Sequence, residues 1–254
     1  MQASIIGSGN VATQLGLALL QSNIAVKEVW SRNYQHAKRL SSTLKSNHLD
    51  ALNKLDDNID FCFICVKDDA IANIVAQLHF QQTLVVHTSG STSLKLLANC
   101  STHIGVLYPV QTFSQTRYVS FKSIPLAIEA NSSEALDLLR SVAEKLSTTI
   151  LTLNSEQRKQ LHLAAVIASN FSNYMYAMAE QLLKNHQIPF DVLKPLILET
   201  AQKIQSSSPL QTQTGPAIRG DVNIIAQHLG MLKDDPHTQL LYQMISERIS
   251  NSSY

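Results

Sequence analysis

The 254-residue sequence has only three cysteines and one tryptophan, carries few charges for its length, and contains no apolar run near the roughly 18 residues needed to cross a bilayer. Each shortage excludes a class of protein. Three thiols cannot build a disulfide framework. Cys62 and Cys65 are spaced C-x-x-C, but they fall in the apolar run Phe61-Cys62-Phe63-Ile64-Cys65-Val66. Residues three apart on a strand point to opposite faces, so the pair reads as buried strand thiols, and a cytoplasmic compartment is expected. A formal net charge of +1 argues against a nucleic-acid binder, which needs a basic stripe to neutralise phosphates. The histidines are scattered, without the spacing of metal ligands. The start, Met1-Gln2-Ala3-Ser4-Ile5-Ile6, has no basic segment and runs directly into a strand pattern, so no secretion signal or membrane partner is expected.

What is present is an alternation. Short β-rich apolar runs at 3–6, 26–30, 61–66, 84–87, 105–107, 124–128 and 149–153, with a weaker one at 49–52, are separated by helical patterns at 11–21, 34–44, 69–78 and 133–146. Alternation of this kind predicts βαβ units and a mostly parallel sheet. Asn131-Ser132-Ser133-Glu134 reads as a helix start. Strand signals stop after Asn154. A long helical pattern at 155–184 is followed by others at 191–204, 221–232 and 237–249, broken by Pro189, the polar loop 206–215 and Pro236. The expectation is an α/β domain over 1–153 and an all-α domain over 154–254.

Between the first strand and first helix stands Gly7-Ser8-Gly9-Asn10-Val11-Ala12, a G-x-G-x-x-A. Gly7 permits the tight turn, Gly9 lets a pyrophosphate approach the backbone, and Ala12 lets the helix pack on the strand. The helix then presents its first amides and positive dipole end to the phosphates. This predicts a Rossmann dinucleotide-binding domain, with Gly7, Ser8, Gly9, Asn10 and Val11 as cofactor contacts. The second strand ends in Trp30-Ser31-Arg32-Asn33. An NAD site wants an acid at that tip and an NADP site a cation, so Ser31 and Arg32 favour NADP(H). Glu28, the competing acid, lies within the strand. Later strand ends, Val66-Lys67-Asp68-Asp69, His87-Thr88-Ser89-Gly90-Ser91 and Leu107-Tyr108-Pro109-Val110-Gln111, should supply further contacts, with Val66 and Ser89 on the cofactor and His87 near the nicotinamide. The acids at 68 and 69 read as helix caps.

Taken with Thr112-Phe113, Ala168-Ser169-Asn170-Phe171 and Thr214-Gly215-Pro216-Ala217-Ile218-Arg219-Gly220-Asp221, these segments span nearly the whole chain. The sequence resembles the bacterial family that joins a Rossmann-like domain to a C-terminal helical domain of unknown function, DUF2520. That family is similar to pyrroline-5-carboxylate reductase and, more distantly, to β-hydroxyacid dehydrogenases. The resemblance implies a helical domain that dimerises and closes the substrate cleft. In β-hydroxyacid dehydrogenases a lysine and an asparagine project from the long helix opening the second domain. Here the corresponding stretch offers His162 and Asn170, but Lys159 lies eleven residues before Asn170 instead of one turn. His162 is therefore the better candidate proton donor.

Arg219 could bind a substrate carboxylate or tie down its own loop, and Asp221 reads as an N-cap. His228 reads as structural. The function expected is an NADP-dependent oxidoreductase that reduces a C=O or C=N group of a small metabolite, with His87, His162 and Asn170 as catalytic candidates. Alternatives are a cofactor-binding sensor without turnover, or a dimerising scaffold holding a structural nucleotide.

Overall fold

Eight strands form one sheet in the order β3-β2-β1-β4-β5-β6-β7-β8. The structure, a computed structural model, describes residues 1–114 and 117–251. The last three positions assigned by sequence to the helical domain, 252–254, lie outside that description. The strands are β1 (Gln2–Ile6), β2 (Ala25–Trp30), β3 (Asn47–Leu49), β4 (Phe61–Ile64), β5 (Leu84–His87), β6 (Ile104–Pro109), β7 (Leu126–Ala130) and β8 (Ile150–Thr152). Neighbours run parallel except β6 and β7. Strands β4 and β5 are buried at every position, as expected of parallel strands covered on both faces.

Helices α1 (Asn10–Gln21), α2 (Tyr34–Leu44), α3 (Asp68–Val75) and α4 (Ser133–Leu146) supply that cover. Leu15, Leu19, Leu40, Leu44, Leu139 and Val142 pack with Ile5, Val29 and Phe63 in one core. Ile71, Ile74 and Leu78 pack with Ile64 and Val85 in the other. Local chemistry fixes where the helices begin. Asn33 accepts from the His36 amide to start α2, and Ser132 accepts from the Ala135 amide to start α4. The weak third strand falls at Asn47–Leu49 rather than 49–52, because Leu52–Lys54 already turns as a 3-10 helix.

The stretch expected as one helix at 155–184 is divided. Helix α5 (Ser155–Ala165) opens with a reciprocal capping box between Asn154 and Gln157. A π-helical segment follows at Val166–Phe171, then α6 (Ser172–Asn185). The chain forms two compact units, Met1–Asn170 and Phe171 onward. The last strand ends at Thr152, but the compact units divide at Asn170, so α5, with its buried Arg158, belongs to the first unit. The second unit holds α6, α7 (Lys194–Ser206), α8 (Pro216–Arg219), α9 (Val222–Met231) and α10 (Pro236–Ser250). Within it Ser250 Oγ donates to the Ala217 carbonyl at 3.0 Å, and His228 Nδ1 lies 2.7 Å from Tyr242 Oη. Among the described residues, no helix is long and apolar enough to cross a membrane.

Candidate functional site

The chain runs β1, β2, β3 outward on one side, then returns to place β4 on the other side of β1. This reversal opens a crevice at the carboxyl end of β1, where open α/β sheets take ligands. Gly7 sits there with φ +122°, and a Cβ on it would lie 2.2 Å from the Cys65 carbonyl oxygen. Its amide donates to the Trp30 carbonyl at 2.7 Å, which stitches β1, β2 and β4 into one floor. Gly9 is the opposite case, with nothing within 4 Å of a Cβ placed on it. It is the N-cap of α1, and no side chain caps that helix. The first amides of α1 therefore have no intrahelical partner and, among the described residues, no side-chain cap in its place. An anionic group fits that place.

Side chains around this floor sort themselves. Ser8 Oγ lies 2.8 Å from Ser31 Oγ. Arg32 is exposed and forms no hydrogen bond or ion pair with the described residues. Glu28 is buried and accepts from Ser4 Oγ and the Asp56 amide, both at 3.1 Å, so it is spent within the sheet. Val66 lies against Gly7. Val11 packs against the core, while the Asn10 amide nitrogen donates to the Phe113 carbonyl at 2.6 Å. A cavity of about 170 Å³ beside Ser8 is lined by Thr13, His36, Arg39, Leu40 and Thr43. His36 and Arg39 add basic side chains that sequence reasoning missed; their position on α2 behind Arg32 was the available signal. Uncapped amides, an open glycine, two hydroxyls and a free guanidinium fit a dinucleotide carrying an extra phosphate.

Further along the crevice, the loop after β5 is locked from beneath. Arg158 is fully buried; its Nη1 donates to the carbonyls of Ser89 (3.1 Å) and Gly90 (3.0 Å), and its Nη2 pairs with Glu129 at 2.9 Å. Ser155 Oγ donates to the same carboxylate at 2.9 and 3.0 Å. Above this strut, His162 Nδ1 lies 3.1 Å from Tyr108 Oη, with the rings edge to face. The Gly90 backbone is pressed against both, and a Cβ on it would lie 2.7 Å from His162 Nδ1 and 2.9 Å from Tyr108 Cζ. Arg158 was not among the residues expected, and Tyr108 was expected only as part of the 107–111 strand end, without a role of its own. Tyr108 stands at a strand's carboxyl end, which was its signal. Arg158 gave none, lying in the polar run Ser155-Glu156-Gln157-Arg158-Lys159-Gln160.

Several expected roles change here. His87 is buried, and its Nδ1 accepts from the Ser89 amide at 3.2 Å. Burial, reinforced by the Arg158 charge, pushes its pKa down to about 4, so it is neutral at pH 7 and enclosed. The Ser89 hydroxyl closes its own loop, accepting from the amides of Ser91 and Thr92 and donating to Thr92 Oγ1. Asp68 caps nothing, because it accepts instead from Ser91 Oγ. Cys62 and Cys65 are buried free thiols, with burial pushing the Cys65 pKa up to about 12. Asn170, eight residues after His162, is exposed at the end of the π-helical segment. In the second unit Asp221 stands at the N-cap of α9 but makes no cap bond. Its Oδ2 takes both Nε and Nη2 of Arg219, at 2.9 and 2.7 Å. No group of three or more potential metal ligands occurs among the described residues.

Comparisons with known proteins agree with this geometry. The family described as NADP oxidoreductase, coenzyme F420-dependent, matches residues 2–90, and the domain of unknown function DUF2520 matches residues 124–249. A candidate NADP oxidoreductase from Bacteroides fragilis is 41% identical, with a TM-score of 0.91 over 98% of this chain and 97% of that one. A 1-pyrroline-5-carboxylate reductase from Streptococcus pyogenes shares the fold at 16% identity, with a TM-score of 0.64 over 98% of both chains. So does an imine reductase from Myxococcus stipitatus in complex with NADP+, at 14% identity and TM-score 0.68, over 98% of this chain and 92% of that one. No curated protein matches the sequence significantly. The chain belongs to the family that joins a Rossmann-type NADP oxidoreductase domain to a C-terminal DUF2520 domain.

Proposed function

We propose that this protein uses NADPH to reduce a C=O or C=N group of a small polar metabolite. The observation that carries the reading is the uncapped start of α1 at an open Gly9, with Ser8, Ser31 and an unpaired Arg32 at the neighbouring strand end. Glu28 cannot serve a ribose 2′-hydroxyl while it holds Ser4 and Asp56, which favours NADPH over NADH. The guanidinium of Arg32 would fork onto the 2′-phosphate, with the nearby Arg39 and His36 supporting it.

When bound, the nicotinamide supplies the hydride, and the protein must supply a proton. His162 is our candidate for this, supported by its half-buried position at the loop after β5 and its hydrogen bond with Tyr108. Gly7, Ser8, Gly9, Val11 and Val66 form the phosphate floor. Asn10 contributes through its backbone and anchors the 108–113 segment with its side chain. Ser89 contributes through its loop. Asn170 would orient substrate from the same helical stretch as His162. Arg219 could take a substrate carboxylate only by sharing its bond to Asp221. His87 serves as a neutral pillar under the loop.

A second copy of the chain is the proposed partner. Helices α6, α7 and α9 contain no buried residue in one chain, and the large apolar side chains Val192, Leu196, Leu198 and Met231 are exposed. A soluble surface of that kind marks an association site.

The test is a panel of imines, 2-oxoacids and 3-oxoacids, with oxidised coenzyme F420 as a further acceptor, followed by loss of reduced-nicotinamide absorbance. Consumption of NADPH with a carbonyl or imine supports the reading. Tight NADPH binding with no acceptor in any class contradicts it and favours a sensor.

A further inference from the structure

We propose that Tyr108 and His162 form a proton relay, in which the phenol donates to imidazole Nδ1 and thereby leaves Nε2–H as the acid offered to substrate. The inference rests on the reductase reading above and adds to it the protonation state and the second proton carrier.

The geometry carries it. Tyr108 Oη has His162 Nδ1 as its hydrogen-bond partner at 3.1 Å, with no other among the described residues. A neutral imidazole nitrogen is a better acceptor than a phenol oxygen, so the relay takes the phenol as donor and Nε2 as the nitrogen that carries the His162 hydrogen. Only a glycine at position 90 lets the loop backbone touch both rings. Arg158, one turn before His162 on α5, bonds the Ser89 and Gly90 carbonyls and so fixes the helix against that loop. The charged and titratable groups acting on Tyr108 are His162 and Arg158 on α5 and Asp68 on α3. Burial, with a contribution from Asp68, raises the Tyr108 pKa and keeps the phenol protonated at rest. Arg158 opposes this and would stabilise a transient phenolate.

The balance closes simply. With NADPH supplying the hydride to carbon, the nitrogen or oxygen of the C=N or C=O group would take the proton of His162 Nε2. The Tyr108 O–H proton moves to His162 Nδ1, leaving a neutral imidazole of the opposite tautomer and a phenolate. The Nδ1 proton then returns to the phenolate as Nε2 takes a proton from water, which restores the resting tautomer, so each turnover consumes one NADPH and one proton. Tyr108 acts through His162 and is a positioning and relay residue.

The first readout needs no turnover. Nitrogen NMR of the cofactor-free protein, well above the ordinary imidazole pKa, should show His162 as a single Nε2–H tautomer, and Tyr108→Phe should convert it to a mixture. A wild-type Nδ1–H tautomer, or no change in Tyr108→Phe, overturns the relay. With a substrate in hand, Tyr108→Phe should lower kcat by about 100-fold, the low end of general acid–base effects, with KM within about twofold. Unchanged kcat in a folded Tyr108→Phe protein also overturns it. Gly90→Ala, which wedges the rings apart without removing either, should reproduce the tautomer mixture; a single Nε2–H tautomer in it would count against the geometry. A wild-type protein that turns over no substrate, yet shows the Nε2–H tautomer, defeats the reductase reading and leaves the hydrogen bond itself confirmed.

Discussion

The two units of this chain finish their cores to very different degrees. In the first, whole strands and the inner faces of α1, α2, α3 and α4 are sealed, and even an arginine is enclosed with its partners. In the second, the described residues buried are Ala217, Leu232 and Ser246, while Leu196, Leu198, Val222 and Met231 remain exposed. A sheet covered by helices on both faces closes its own hydrophobic surface. The second unit does not, and this difference separates a fold that one chain completes alone from one whose open apolar surface we propose is covered by a second copy.

The sharpest way to break that contrast is to charge the open helices. Recovering a large apolar side chain from water stabilises by roughly 1.5–3 kcal/mol. Leu196→Lys with Leu198→Lys should therefore weaken self-association by at least about 100-fold in sedimentation, without loss of NADPH binding by the first unit. A wild-type protein that sediments as a monomer at all concentrations would remove the proposed partner. The next effect belongs to the closed unit. Arg158→Met leaves the Glu129 carboxylate without its cation and two carbonyls without donors, which should cost about 3–5 kcal/mol in denaturant unfolding. A loss below about 1 kcal/mol would mean the loop after β5 does not depend on that strut.

The third effect is pH-dependent and again specific to the first unit. His87 has a folded pKa near 4, below the ordinary value near 6.5. Its contribution is thus present above about pH 6.5 and is lost as pH falls toward 4, up to about 3 kcal/mol. His87→Asn should flatten that part of the stability profile; an unaltered slope would place the titration elsewhere.

The contrast also explains what the sequence disclosed. Strand and helix periods, the glycine turn, the helix start around Ser132 and the Arg32 tip are local signals, so they are legible in a single chain. The role of Arg158 and the pairing of Tyr108 are not. Apart from Ser155, the partners of Arg158 lie 29 to 69 residues away, and that of Tyr108 lies 54 away, and nothing in the polar run itself tells a buried arginine from its solvated neighbour Lys159. Asp68 and Asp221 show the converse failure. Both stand at helix starts where an acid normally caps, yet each is claimed by a nearby side chain, Ser91 and Arg219.

The central claim is that the amides of α1 and the Arg32 guanidinium together receive a dinucleotide bearing a 2′-phosphate. Trp30 adjoins both, since its carbonyl takes the Gly7 amide, and it is the sole tryptophan. Its fluorescence should respond to NADPH at a concentration about 10–100-fold lower than to NADH, and Arg32→Ala should largely remove the difference, as expected for losing a charge-assisted pair of roughly 1.5–3 kcal/mol. Equal responses to the two nucleotides, or none to either, would contradict it.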